Sequence, residues 1–179
     1  MSKKEELELG KKIIEYFCNL NNMHLPKIIV TNKIAGAGYY QFDKPDTLFI
    51  DLKKCDKMTI KNHPAMIYEN TVIGTLLHEF GHYIHFRYFP KLTQAWRKFK
   101  TEPHIHYHER EINEDIAECI RIYILLSPRL YFGRPERNAQ LDKIFNNPEY
   151  MSYCPMSIFT LYDKKHEKVD IDDWESFLV

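Results

Sequence analysis

Hydrophobic positions along the chain alternate between two periods. Over residues 4–20, Leu9, Ile13, Tyr16 and Phe17 fall on one face at helical spacing, and the run NLNN ends the pattern. Pro26 opens KIIVTN, a short strand candidate. The segment GAGYYQFDKPDTLFIDL reads as two strands, 38–42 and 47–52, joined by the turn-forming DKPD. Helical spacing returns from Tyr68 to Tyr88, where Ile73, Leu76, Leu77, Phe80 and Ile84 recur. A shorter helix fits 92–100. Another fits 110–126 and is closed by SPRL, because proline disfavours helix in the residue before it. Further helices are predicted over 136–146, 155–163 and 171–178, the last with Trp174 and Phe177 as docking residues. A helix, a small sheet and then helices make an α+β order with a segregated sheet. No repeat, low-complexity tract or linker interrupts it, so residues 1–179 are expected to form a single domain.

Composition narrows the partners. Apolar residues make up 44% and charged residues 28%, as in ordinary globular domains. Lys plus Arg balances Asp plus Glu at 25 each, so no long-range attraction to nucleic acid or to an anionic membrane is expected. The one basic patch, WRKFK at 96–100, reads as a solvated helix face anchored by Trp96. Cys18, Cys55, Cys119 and Cys154 are widely spaced and form no C-x-x-C pair. They suit a reducing compartment and small buried positions. The N-terminus lacks the apolar core of a signal peptide and no run is long enough to span a bilayer, so a cytoplasmic location is expected.

Histidine changes the picture. Six of the nine histidines lie between His78 and His108. His78, Glu79 and His82 form H-E-x-x-H inside the predicted helix over 68–88. Positions i and i+4 share one helix face, so both imidazoles can reach one Zn²⁺. Glu79 is too close along the helix to bind the same ion comfortably, but it can act as general base toward a water held there. Gly81 costs about 1 kcal/mol relative to alanine within a helix, which implies that another backbone packs closely beside His82.

A catalytic zinc needs a third protein ligand. A third histidine six residues beyond His82 is excluded, because that position is Tyr88. The strongest candidates are Glu114 and Glu118 in INEDIAECI, one turn apart on the helix over 110–126. One can ligate the metal while the other orients a histidine. Asp115 lies on a different face. The rival source is HIHYHERE, where His104, His106 and His108 alternate and would share one side of an extended segment. Such a three-histidine site is similar to the SprT-like peptidases.

HEFGH followed by N-E-x-x-x-E resembles the gluzincin zinc peptidases. Within that clan, HEFGH with E-x-x-A-E is most similar to the group of anthrax lethal factor and the Pro-Pro endopeptidases. The resemblance covers about 78–128. It implies a minimal zincin-like domain, with a small antiparallel or mixed sheet packed on an active-site helix and a glutamate helix, and extra helices after them. It also implies a zinc-dependent peptidase acting on a peptide or protein. His78, His82 and Glu114 would be the metal ligands, Glu79 the general base, and Glu118 the support of a ligating histidine. Tyr107, seven residues before Glu114, would stabilise the oxyanion.

Other residues carry weaker expectations. Asn113 is either a helix N-terminal residue or a hydrogen-bonding group near the metal. His85 is expected at a polar surface position, with a place behind the metal ligands or at the cleft rim as the alternative. TLFIDL, 47–52, is a structural strand that could also take an extended substrate along an exposed edge. A zinc-binding interaction module without hydrolytic activity is the alternative from another functional class. The intact Glu79 counts against it, since a structural site needs no base.

Overall fold

A computed structural model describes residues 2–56, 70–99, 112–126 and 135–145 of the chain. Among them lie five helices and a three-stranded mixed sheet, an α+β architecture. The order is α1 (Lys3–Leu20), β1 (Lys27–Val30), β2 (Gly38–Tyr40), β3 (Thr47–Ile50), α2 (Val72–Tyr88), α3 (Leu92–Trp96), α4 (Ile112–Leu126) and α5 (Pro135–Ile144). The predicted helices over 155–163 and 171–178, with Trp174 and Phe177, lie outside the described residues. Among the described residues no helix is long and apolar enough to cross a membrane.

Helix starts follow their caps. Ser2 and Glu5 form a capping box at α1, the Ser2 hydroxyl accepting from the Glu5 N–H at 3.3 Å and the Glu5 carboxylate from the Ser2 N–H at 2.6 Å. Thr71 caps α2 by accepting from the Gly74 N–H at 3.1 Å. The buried Glu6 of α1 also accepts from the Val72 N–H at 3.2 Å. A carboxylate thus sits at the positive end of the α2 dipole.

The strand order is β1-β3-β2, with β1 parallel and β2 antiparallel to β3. Leu48 and Ile50 alternate inward from β3 and are fully buried. The expectation that TLFIDL exposes an edge is corrected by this topology. β3 is the central strand, hydrogen-bonded on both sides, so it has no edge to offer. Among the described residues β2 pairs only with β3, and its far side is the open one.

α2 lies at the centre, packed by α1, by β2 and β3, and by α4. Its apolar positions Ile73, Leu76, Leu77, Phe80 and Ile84 are fully buried. The tightest approach is between α2 and α4. A Cβ added at Gly81 would lie 2.5 Å from the carbonyl oxygen of Ala117 and 2.8 Å from its Cα. The close neighbour inferred from the sequence is therefore the backbone of α4.

α3 and α5 are tied to α4 through Asp115. The Trp96 indole Nε1 donates to Asp115 Oδ2 at 2.8 Å, and Arg137 Nε donates to the same oxygen at 3.0 Å. All three side chains are buried. Trp96 is the buried anchor of the basic patch, and Arg97 and Lys98 beside it are exposed as expected, but in a turn after α3 rather than on a helix face. Cys18, Cys55 and Cys119 are buried, and burial pushes the Cys18 thiol up to about 12. Cys154 lies outside the described residues.

Gly81→Ala should therefore destabilise the protein despite the better helix propensity of alanine. Forcing a methyl group against a backbone carbonyl is expected to cost a net of about 2 kcal/mol. Urea unfolding measures it, and an unchanged or raised midpoint would contradict the close packing.

Candidate metal centre

One turn of α2 places His78 and His82 on the same face, their rings 4.9 Å apart and nearly perpendicular. The crossing with α4 sets Glu114 opposite both. Its Oε2 lies 3.0 Å from His78 Nε2, and its Oε1 lies 3.3 Å from His82 Nε2. Ligating atoms of His78, His82 and Glu114 all fall within 4.8 Å of one another. Two imidazole nitrogens and a carboxylate at this spacing form a donor set suited to a divalent cation such as Zn²⁺.

Behind this group is a second layer of contacts. Glu118, one turn along α4, lies 3.1 Å from His78 Nδ1. Arg121 then holds Glu118 with two guanidinium nitrogens, Nε reaching Oε2 at 2.8 Å and Nη2 reaching Oε1. Glu118 and Arg121 are both buried. The arrangement fixes the ring of His78 and directs its Nε2 toward Glu114.

The electrostatics indicate a site that calls for positive charge. Burial alone pushes His78 down, but hydrogen bonds and charge from Glu114 and Glu118 outweigh it and hold the imidazole up to about 9. Glu114 is held well below the usual carboxylate range by its hydrogen bonds to His78 and His82. Burial raises Glu118, but Arg121 and His78 together bring it far below that range. Without a metal, a proton on His78 supplies the cation that these carboxylates need.

Glu79 faces the other way, toward β2. The backbone of Tyr40 donates to its carboxylate. Gly38 leaves room for it, since a Cβ there would lie 2.6 Å from Glu79 Cγ and 2.7 Å from Thr75 Cγ2. Burial raises Glu79 above the usual range, against the opposing pull of His78 and His82. Such a shift brings a carboxylate nearer to the pH at which a general base is useful.

These groups border a cleft of about 350 Å³ between β2 and α4. Its floor is His78, Glu79 and His82, with Asn113 and Glu114 on one wall. The other wall is aromatic. Phe42 packs edge-on against Phe86 at 4.5 Å, and Tyr40 stacks on Phe86 at 5.8 Å. Phe42 is 68% exposed and Tyr39 is 49% exposed, so apolar surface is open at the cleft mouth.

The structure brings together His78, Glu79, His82, Asn113, Glu114 and Glu118. Tyr107, His104, His106 and His108 lie outside the described residues. His85 is a correction, because it is fully buried rather than at the surface. Its Nε2 lies 3.0 Å from Thr93 Oγ1, so packing against α3 covers a residue whose type suggested solvent. Arg121, Thr93, Gly38 and Tyr40 were not singled out from the sequence. For Arg121 a signal existed, an arginine three residues after Glu118 within the otherwise apolar run from Cys119 to Leu126. No protein-family model, curated protein or solved structure matches the chain.

Removing Arg121 should expose the cost of this layer. Arg121→Met leaves the buried Glu118 carboxylate with protonated His78 in place of two cationic partners, which is expected to cost about 2–3 kcal/mol. Thermal unfolding of the metal-free protein near neutral pH checks it. A loss below about 1 kcal/mol would mean that the pair behaves like an exposed one.

Proposed function

We propose that the chain is a zinc metallopeptidase of the gluzincin type, with a minimal zincin-like arrangement around the cleft. The observation that carries this reading is the convergence of His78 Nε2, His82 Nε2 and the Glu114 carboxylate beside a cleft that also holds Glu79. The donor chemistry fits zinc, and the buried Glu118–Arg121 pair behind His78 is a typical orienting partner for a ligating imidazole.

His78, His82 and Glu114 would hold the ion. When bound, zinc supplies Lewis acidity, lowering the pKa of water and polarising a carbonyl. Glu79 takes the proton of the attacking water and passes it to the leaving amine. The Tyr40 backbone N–H favours the ionised form of Glu79 that the transfer needs. Glu118 accepts from His78 Nδ1 and keeps Nε2 turned inward. Tyr107, assigned by the resemblance alone, would donate to the charge developing on the carbonyl oxygen. A peptide is the substrate class that this chemistry serves, and the open side of β2 can pair with an extended one.

Two substitutions separate binding from chemistry. Glu79→Gln should retain zinc and lose chelator-sensitive peptide hydrolysis by at least about 100-fold, the scale of general-base catalysis. Glu114→Ala should lose zinc affinity, and unchanged zinc content there would shift the third ligand to His104, His106 or His108. A wild-type protein that keeps zinc but cleaves no peptide in a library would favour the interaction module.

Zinc binding should also be linked to pH. His78 carries a proton up to about pH 9 in the metal-free protein, and that proton must leave when the nitrogen binds metal. Affinity is therefore expected to rise as pH increases and to level off above about 9. Calorimetry in buffers of different ionisation enthalpy should find about one proton released per zinc near neutral pH. Affinity that stays flat over that range would contradict the shared proton.

A further inference from the structure

His85 is fully buried, and its ring stacks on Phe86 at 4.4 Å. Burial, with a smaller contribution from His82, pushes it down to about 4, so the imidazole is neutral near neutral pH. A neutral imidazole has one N–H. Its Nδ1 is buried with no hydrogen-bond partner among the described residues, whereas Nε2 lies 3.0 Å from Thr93 Oγ1. Placing the hydrogen on Nδ1 would bury a donor with nothing to accept it, a costlier error than an unused lone pair. The hydrogen therefore sits on Nε2 and is donated to Thr93.

The direction then propagates. Thr93 Oγ1 accepts from His85, so its own O–H is available to donate, and it reaches Asn113 Oδ1 at 3.3 Å. Carboxamide oxygen and nitrogen are hard to distinguish by shape alone. Here the relay assigns them, with Oδ1 turned to Thr93 and Nδ2 left as the donor. Among the described residues Nδ2 makes no hydrogen bond, and Asn113 lines the cleft next to Glu114. Glu79 and Glu114 give that cleft acceptors, whereas an entering peptide brings carbonyl oxygens that require donors.

We propose that Asn113 is a substrate-binding residue whose Nδ2–H donates to a backbone carbonyl of the bound peptide, with His85 and Thr93 as buried positioning residues that fix its orientation. The proposal rests on the metallopeptidase reading. It gives buried His85 a role that neither metal binding nor proton transfer requires.

The test has two parts. In metal-free protein, imidazole nitrogen NMR should find His85 neutral and protonated on Nε2. In zinc-loaded protein, calorimetry compares acetohydroxamate, which needs only the metal, with a peptidyl hydroxamate, which also brings backbone carbonyls. Asn113→Ala and Thr93→Val should each weaken the peptidyl compound by roughly tenfold, the scale of one hydrogen bond, and leave acetohydroxamate unchanged. Thr93→Ser keeps the hydroxyl and should retain wild-type affinity. Unchanged peptidyl affinity in Asn113→Ala, or His85 protonated on Nδ1, would overturn the assignment. Failure of acetohydroxamate to bind the zinc-loaded wild type would instead overturn the metallopeptidase reading, and this proposal with it.

Discussion

The backbones of α2 and α4 meet at Gly81 and Ala117, and the rest of the site is arranged around that contact. Gly81 lies between His78 and His82 in the chain, and Ala117 lies between Glu114 and Glu118. A Cβ at Gly81 would come within 2.5 Å of Ala117, so no other side chain fits without separating the helices. Separation would carry both glutamates away from both imidazoles. A short side chain such as Glu reaches its partner only across a narrow gap. The glycine thus converts a helix-packing distance into hydrogen-bond distances of 3.0 and 3.1 Å on either side of the His78 ring.

Charge completes what packing begins. Three carboxylates, Glu79, Glu114 and Glu118, lie at or near the cleft, all at least partly buried. Burial of unpaired carboxylates is costly, and each has a different solution. Glu118 has Arg121, Glu114 has the two histidines, and Glu79 has the backbone of Tyr40. The weakest of the three solutions is that of Glu79, whose pKa is raised while those of the other two are lowered. Neighbouring carboxylates whose environments push their pKa values apart are suited to different tasks. The proposed assignment of Glu114 to metal binding and Glu79 to proton transfer follows that division.

Much of this was legible in the chain because local rules governed it. Helical spacing located α1, α2 and α4 to within a few residues, and the spacing of His78, His82, Glu114 and Glu118 placed each pair on one helix face. Gly81 was informative because its helix penalty required a packing reason. The misreadings concern what meets across the fold. TLFIDL gave no sign that it would be paired on both sides, since strand order depends on partners distant in sequence. His85 looked like a surface residue because nothing in its own helix shows that Thr93 of α3 would cover it. Asp115 was noted only for lying on another face, and its ties to Trp96 and Arg137 depend on two further helices.

β2 shows why the cleft needs a strand as well as two helices. Its residues Gly38 and Tyr40 supply the second fixed point for Glu79, one by leaving space and the other by donating an N–H. A glutamate side chain has several rotatable bonds, so anchoring at the α2 backbone alone would leave its carboxylate mobile. The contacts with the strand restrict that freedom. The same strand has no strand partner on its outer side among the described residues and carries Tyr39, half exposed, to the cleft. One short segment therefore orients the proposed base and borders the space where a substrate would lie. That coupling constrains any substitution in GYY. Under the proposed reading, a change in GYY that alters how an extended peptide pairs with β2 would also disturb the contacts of Glu79, coupling substrate binding to proton transfer.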